Sequence, residues 1–152
     1  MPGERVHPPR WLKPLNKVFM VMLRLGVPVS RVEKPVVMTV TGRKSGKPRA
    51  TPVTPMYVDG QRYVINGYPG SDWVYNVRSA GEVTLTHGKR TERVRMVELS
   101  PEDARPVLRA FPALVPTGAD LMKRVGLMTD GTPDEAEALA GRCAVFRVDP
   151  IT

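Results

Sequence analysis

The sequence predicts an α+β domain rich in β-structure: a largely antiparallel barrel or sheet with helices packed outside it. Segments of β-branched and aromatic residues come in pairs around tight turns, at Asp59-Gly60 and Gly88-Lys89-Arg90, rather than alternating singly with helices. Helix-opening signals stand apart from those pairs, at Ser100-Pro101-Glu102-Asp103 and at Thr132-Pro133-Asp134-Glu135. At 152 residues the chain suits one core, burying roughly two thirds of the surface its unfolded form exposes.

Residues 8–25 open the chain. Trp11, Leu15, Val18 and Met22 share one face at helical spacing, Leu12, Phe19 and Leu23 lie beside them, and Arg10, Lys13, Lys17 and Arg24 line the borders. This predicts an amphipathic helix, so residues 1–30 form an N-terminal helical segment ahead of a single β-barrel domain at 31–152. Its apolar stripe either packs on the domain or lies on a membrane surface. From Pro35 the pattern turns to strands over residues 36–41, 49–58 and 61–66, with Asp59-Gly60 as a two-residue hairpin turn. Ser71 is placed to cap a short helix ending at Ala80. Strands at 82–87 and 91–99 form the second hairpin. Ser100 opens a helix to about Phe111, Thr132 opens another that stops at Gly141, and a strand over 142–148 closes the domain. Between those helices residues 112–131 carry Leu114, Val115, Leu121, Met122, Val125, Leu127 and Met128, with Pro116 and Gly118 as breaks. Such a cover either walls a pocket or closes the barrel end.

Net charge is +8, from 23 Lys and Arg against 15 Asp and Glu, which favours an anionic ligand, nucleic acid or an anionic membrane surface. Aromatics are only 6% and none interleaves with the basic turn described below, so the stacking platforms of a single-strand binder are missing and no nucleic acid is expected. The single cysteine, Cys143, excludes a disulfide framework, and no apolar run reaches the length of a spanning helix. The opening residues lack the apolar core of a secretory signal. The expectation is a cytoplasmic protein, with peripheral membrane association through the N-terminal helix left open.

The charge gathers in TGRKSGKPRATP, residues 41–52, which holds four cations, two glycines and two prolines. It is not a P-loop: three residues rather than four separate Gly42 from Gly46, Lys47 is followed by Pro48, and a strand comes next. What remains is a strand-to-strand turn whose glycines would let backbone N–H groups approach an anion, with Arg43 and Arg49 as planar forks and Lys44 and Lys47 as flexible point charges. A phosphorylated small molecule fits such a turn, and so does a loop that is basic only for solubility.

The stretch from Val37 to Leu85 resembles the deazaflavin-dependent nitroreductase family, through TGRKSGKPRATPV and through DWVYNVRSAGEVTL. That family binds coenzyme F-420 in a split β-barrel related to flavin-binding oxidases such as the FMN-binding, pyridoxamine phosphate oxidase-like proteins. The resemblance implies that Arg43, Lys44, Ser45, Gly46 and Arg49 hold the anionic part of the cofactor, while Pro52, Val53 and Thr54 line the ring through backbone atoms. By the same resemblance Asn66, Gly67 and Tyr68 contact it from the other side. Trp73 and Asn76, three apart on one helical face, complete the set, Asn76 as a hydrogen-bonding residue and Trp73 as a ring contact or a core anchor. The chain departs from the family where relatives carry a lysine: it has Tyr68-Pro69-Gly70, so either the tail is held by fewer charges or another basic residue, such as Arg78, compensates. It also has Asp72 and Ala80-Gly81 where the family more often has asparagine and proline.

Coenzyme F-420 is the cofactor so implied, ahead of FMN. The reaction is hydride transfer from reduced deazaflavin to a hydrophobic electrophilic acceptor: a quinone, an activated alkene or a nitro compound. The cofactor carries the difficult chemistry, which agrees with a sequence that has no nucleophile paired with a base. Tyr57, Tyr68 and Tyr75 are proton-donor candidates that serve equally as packing residues, so no catalytic residue is assigned. A split-barrel protein that binds a flavin-type cofactor, or another phosphorylated or lipid ligand, without turnover is the alternative.

Overall fold

The computed structural model describes residues 12–25, 34–67 and 69–151. The expected helical start at residues 8–11 and Tyr68 lie outside them. In chain order the elements are α1 (Leu12–Arg24), β1 (Val36–Thr41), β2 (Pro48–Val53), β3 (Met56–Val58), β4 (Gln61–Ile65), α2 (Asp72–Ala80), β5 (Glu82–His87), β6 (Arg90–Glu98), α3 (Pro101–Leu114), α4 (Pro116–Arg124), α5 (Pro133–Glu137) and β7 (Val145–Pro150).

The seven strands form one antiparallel sheet in the order β2-β1-β5-β6-β7-β4-β3. Residues 49–58, expected as one strand, are two. The ladder with β1 ends at Val53 and a new ladder with β4 begins at Met56, so Thr54 and Pro55 link the two opposite edges of the sheet. Proline has no N–H to give a ladder, which suits it to such a break. Three peptide units reach at most about 11 Å, so the sheet has to roll until its edges nearly meet there. No ladder joins β2 to β3, and the barrel is therefore split.

Its interior holds Met38, Val40, Val64, Val83, Leu85, Val94, Met96, Phe146 and Val148, the inward set of the alternating strands. Helix α2 adds Val74 and Val77, and Trp73 lies against Phe146 with ring centroids 5.8 Å apart. A second core forms on the other side of β7, where Val145 faces Val107, Leu108, Phe111, Met122 and Leu139 of the helical layer. Adjacent residues Val145 and Phe146 thus serve different cores, one on each face of the last strand.

Helical boundaries differ from expectation where packing overrides local signals. Ser100 caps α3 as expected, its hydroxyl accepting from the Asp103 N–H, but the helix runs to Leu114 rather than Phe111. Gly118 does not break the chain: it lies inside α4, where a Cβ would sit 2.7 Å from Phe111 Cζ and 3.1 Å from Val115 Cγ1. Glycine is there so that α4 can close on α3. Helix α5 has the expected capping box between Thr132 and Glu135 yet stops at Glu137, well short of Gly141. The final strand accordingly begins at Val145 rather than at 142.

The stripe expected on the first helix divides. Leu23 is fully buried, its carbonyl accepting from the Gly88 N–H at 2.8 Å, and α1 packs across β1, β2 and β5. Val18, assigned to the face beside which Leu23 lies, is 61% exposed. No helix among the described residues is long and apolar enough to cross a membrane.

Candidate functional site

The β1–β2 turn is shaped from within. Gly42 N–H donates to Lys47 O at 2.8 Å and Gly46 N–H to Gly42 O at 2.9 Å, while the Ser45 hydroxyl accepts from Lys47 N–H at 3.2 Å. The two glycine N–H groups are thus consumed in the turn. Gly42 is buried, and a Cβ on it would stand 2.7 Å from Ser45 Oγ and 3.3 Å from Lys47 O. Its role is compactness.

The turn is clamped to α2. Asn76, only 6% exposed, accepts at Oδ1 from the Arg43 backbone N–H at 3.1 Å and from Arg43 Nη1 at 2.8 Å. The same guanidinium reaches the Asp72 carbonyl at 3.3 Å, lies 3.6 Å from the Asp72 carboxylate and stands over the Tyr75 ring at 5.1 Å. Arg43 and Asn76 are therefore struts between turn and helix, each satisfied by the other, rather than a pair of open ligand groups.

Between turn, strand and helix runs a cleft of about 620 Å³ lined by Gly42, Arg43, Lys44, Ser45, Arg49, Ala50, Thr51, Asp72, Trp73 and Asn76. Six expected site residues thus meet: Arg43, Lys44, Ser45, Arg49, Trp73 and Asn76. Lys44, Lys47 and Arg49 are exposed at this cleft or its rim, and none pairs with a carboxylate among the described residues. Other arginines of the domain are paired: Arg62 with Glu92, Arg93 and Arg95 with Glu82, Arg109 with Asp134 and Glu137, and Arg147 with Asp149. Apart from Arg43, which faces Asp72, the turn thus concentrates positive charge that no carboxylate among the described residues neutralises.

Other expected residues lie elsewhere. Val53 belongs to the barrel interior, and neither Pro52 nor Thr54 lines the cleft, because the open part of β2 ends at Thr51. Gly46 is exposed at the turn but outside the lining. Asn66 is buried and lines a second cleft, of about 610 Å³, on the other side of α2, with Gly67 near Met122. Arg78 also faces that second cleft, in a bidentate pair with Glu98 at 2.7 Å that raises its pKa, so it brings no free charge to the first. Tyr75 stacks between Arg43 and Arg78, and Tyr57 stands exposed on β3, in neither lining. Residues 112–131 line neither cleft and close the outer layer instead. Ala50, Thr51 and Asp72 were missed by sequence reasoning. Strand alternation from Arg49 was the signal available for Thr51.

No protein of curated function matches the chain by sequence. Among solved structures, one described as a domain-swapped dimer aligns with TM-score 0.54 and 22% identity over 91% of this chain and 97% of that one. An F420-H2 dependent reductase aligns with TM-score 0.51 and 21% identity, over 76% of this chain and 93% of that one. An FAD-binding protein from Mesorhizobium loti aligns with TM-score 0.50 and 15% identity, over 98% and 94%. These likenesses establish the split-barrel fold. The family model described as F420H(2)-dependent quinone reductase matches residues 18–126, which span the second half of the first helix, the basic turn, α2 and most of the helical layer, and the chain belongs to that family of coenzyme F-420-dependent reductases.

Proposed function

We propose that the cleft beside α2 holds coenzyme F-420 by its phosphate and glutamyl tail, and that the protein passes the cofactor's hydride to a hydrophobic quinone. The observation that carries the reading is the set Lys44, Lys47 and Arg49, cations with no carboxylate partner among the described residues, on a turn already braced by Arg43 and Asn76. Such a donor set fits a polyanionic tail: Arg49 offers a planar fork, the lysines offer mobile charge, and the Ser45 hydroxyl lies in the same lining. Trp73 and the Ala50-Thr51 strand supply an apolar floor and edge on which a ring can rest. When bound, the reduced deazaflavin supplies the hydride. The chain's own part is to bind the tail, orient the ring and shield the apolar side of the cleft from water.

Monitoring oxidation of reduced F-420 by a short-chain quinone tests this, with reduced FMN as the competing donor. Turnover with the deazaflavin, depressed by Lys44→Ala and Arg49→Ala mainly through a higher KM for the cofactor, is the expected result. Equal turnover with FMN, or no effect of either substitution, would overturn the assignment of the cleft.

A further inference from the structure

A single acid lines the cationic cleft. Arg43, Lys44 and Arg49 come from the turn and β2, whereas Asp72, the only carboxylate among the described lining residues, opens α2 on the helix side. Its side chain is 65% exposed and its Oδ1 stands 3.6 Å from Arg43 Nη2, too far for a direct hydrogen bond. The carboxylate thus offsets the charge of Arg43 and still borders the open space. The first turn of a helix is where backbone N–H groups and the helix dipole draw negative charge, so a phosphate entering the cleft would otherwise be drawn there. Here an attached carboxylate already fills that place. The cleft is therefore polarised, attracting an anion at Lys44, Lys47 and Arg49 and repelling it at the start of α2. Trp73, the next residue, gives the helix side an apolar surface.

We propose that Asp72 is a specificity-determining residue of this cleft. Its carboxylate keeps concentrated negative charge off the α2 side and accepts from hydroxyl or N–H donors there, so that a ligand enters with its anionic end on the turn. This role rests on the reading of the cleft as the cofactor site. It supplies a choice that the cations alone cannot make, because F-420 and FMN both offer them a phosphate. FMN ends in a phosphate monoester with about two negative charges on one group, whereas the phosphate of F-420 is a diester with one, its carboxylates being spread along the tail. Repulsion from Asp72 is therefore greater for FMN, and one extra charge within a Debye length of the carboxylate is worth about fivefold in affinity.

The test is a fluorescence titration of the wild type and of Asp72→Asn with FMN, oxidised F-420 and riboflavin, which has no phosphate. FMN should bind Asp72→Asn about fivefold more tightly, F-420 should gain less, and riboflavin should be unchanged. In about 0.5 M salt the gain for FMN should shrink to less than about twofold. Asp72→Glu, which keeps the charge, should keep the wild-type ratio of FMN to F-420 affinity. Equal gains for FMN and riboflavin would overturn the inference, because they would mean that the substitution only loosens Arg43 and opens the cleft. So would affinities that Asp72→Asn leaves unchanged while Arg49→Ala still weakens F-420 binding, a result that spares the reading of the cleft. If Arg49→Ala has no effect on F-420 either, that reading itself falls, and the role of Asp72 with it.

Discussion

Asn76 shows how a residue lining a candidate cleft can shape it indirectly. Its carbonyl oxygen collects the Arg43 backbone and side chain together, which fixes the turn before any ligand arrives. Asn76→Leu should therefore lower F-420 affinity by about tenfold, with Asn76→Asp closer to wild type because it keeps the acceptor facing Arg43. Cofactor titration of both variants checks this, and equal losses would mean that the amide touches the ligand itself. Arg49 has no such structural duty. Arg49→Ala should cost about tenfold in affinity while leaving the melting temperature within a degree or so of wild type. At this scale the sequence made residue types legible but not their partners. Arg43 and Arg49 look equivalent in TGRKSGKPR, and only the arrival of α2, thirty positions later, commits one and leaves the other open.

Elements were legible where the local signal and the packing agreed. The turn at Asp59-Gly60 appears as expected, since turn chemistry and strand alternation are both local. The second hairpin does too, except that its turn is Gly88-Lys89 alone, with Arg90 already in β6 and paired to His87. The break at Thr54-Pro55 was hidden because the residues on both sides are good strand formers; what separates them is pairing with different partners, a long-range fact. Gly118 was read as a breaker because nothing local reveals Phe111 beneath it. Gly118→Ala should destabilise the domain by about 1–3 kcal/mol through overpacking, measured by denaturant unfolding, and a neutral result would mean that α3 and α4 yield easily. The loop before α5 has a pH signature. The Glu135 carboxylate accepts from the backbone N–H groups of Thr129, Asp130, Gly131 and Thr132, and these bonds hold its pKa below the ordinary glutamate range. Its contribution is fully present above the unfolded-state pKa and is lost as pH falls through the depressed folded value. Amide exchange at Thr129 and Asp130 should accelerate, relative to the rest of the chain, only in that acidic window, and Glu135→Gln should remove the pH dependence.

Across the whole molecule the charge is sorted. Arg62, Arg78, Arg93, Arg95 and Arg147 around the barrel and Arg109 of the helical layer are matched with carboxylates, while Lys44, Lys47 and Arg49 of the basic turn meet none among the described residues. Net charge of +8 announced an anionic partner, but composition cannot show which cations are already spent. Raising ionic strength from about 0.05 M to about 0.5 M should weaken cofactor binding about tenfold or more and leave the unfolding midpoint nearly unchanged, because exposed matched pairs contribute little to stability. The measurement that tests the account most directly is a fluorescence titration of the wild type with oxidised F-420 and with FMN, repeated with Arg49→Ala. Tighter binding of the deazaflavin, lost in large part in the variant and at high salt, is the predicted result. Preference for FMN, or affinity indifferent to Arg49, would place the cofactor somewhere other than the cleft beside α2.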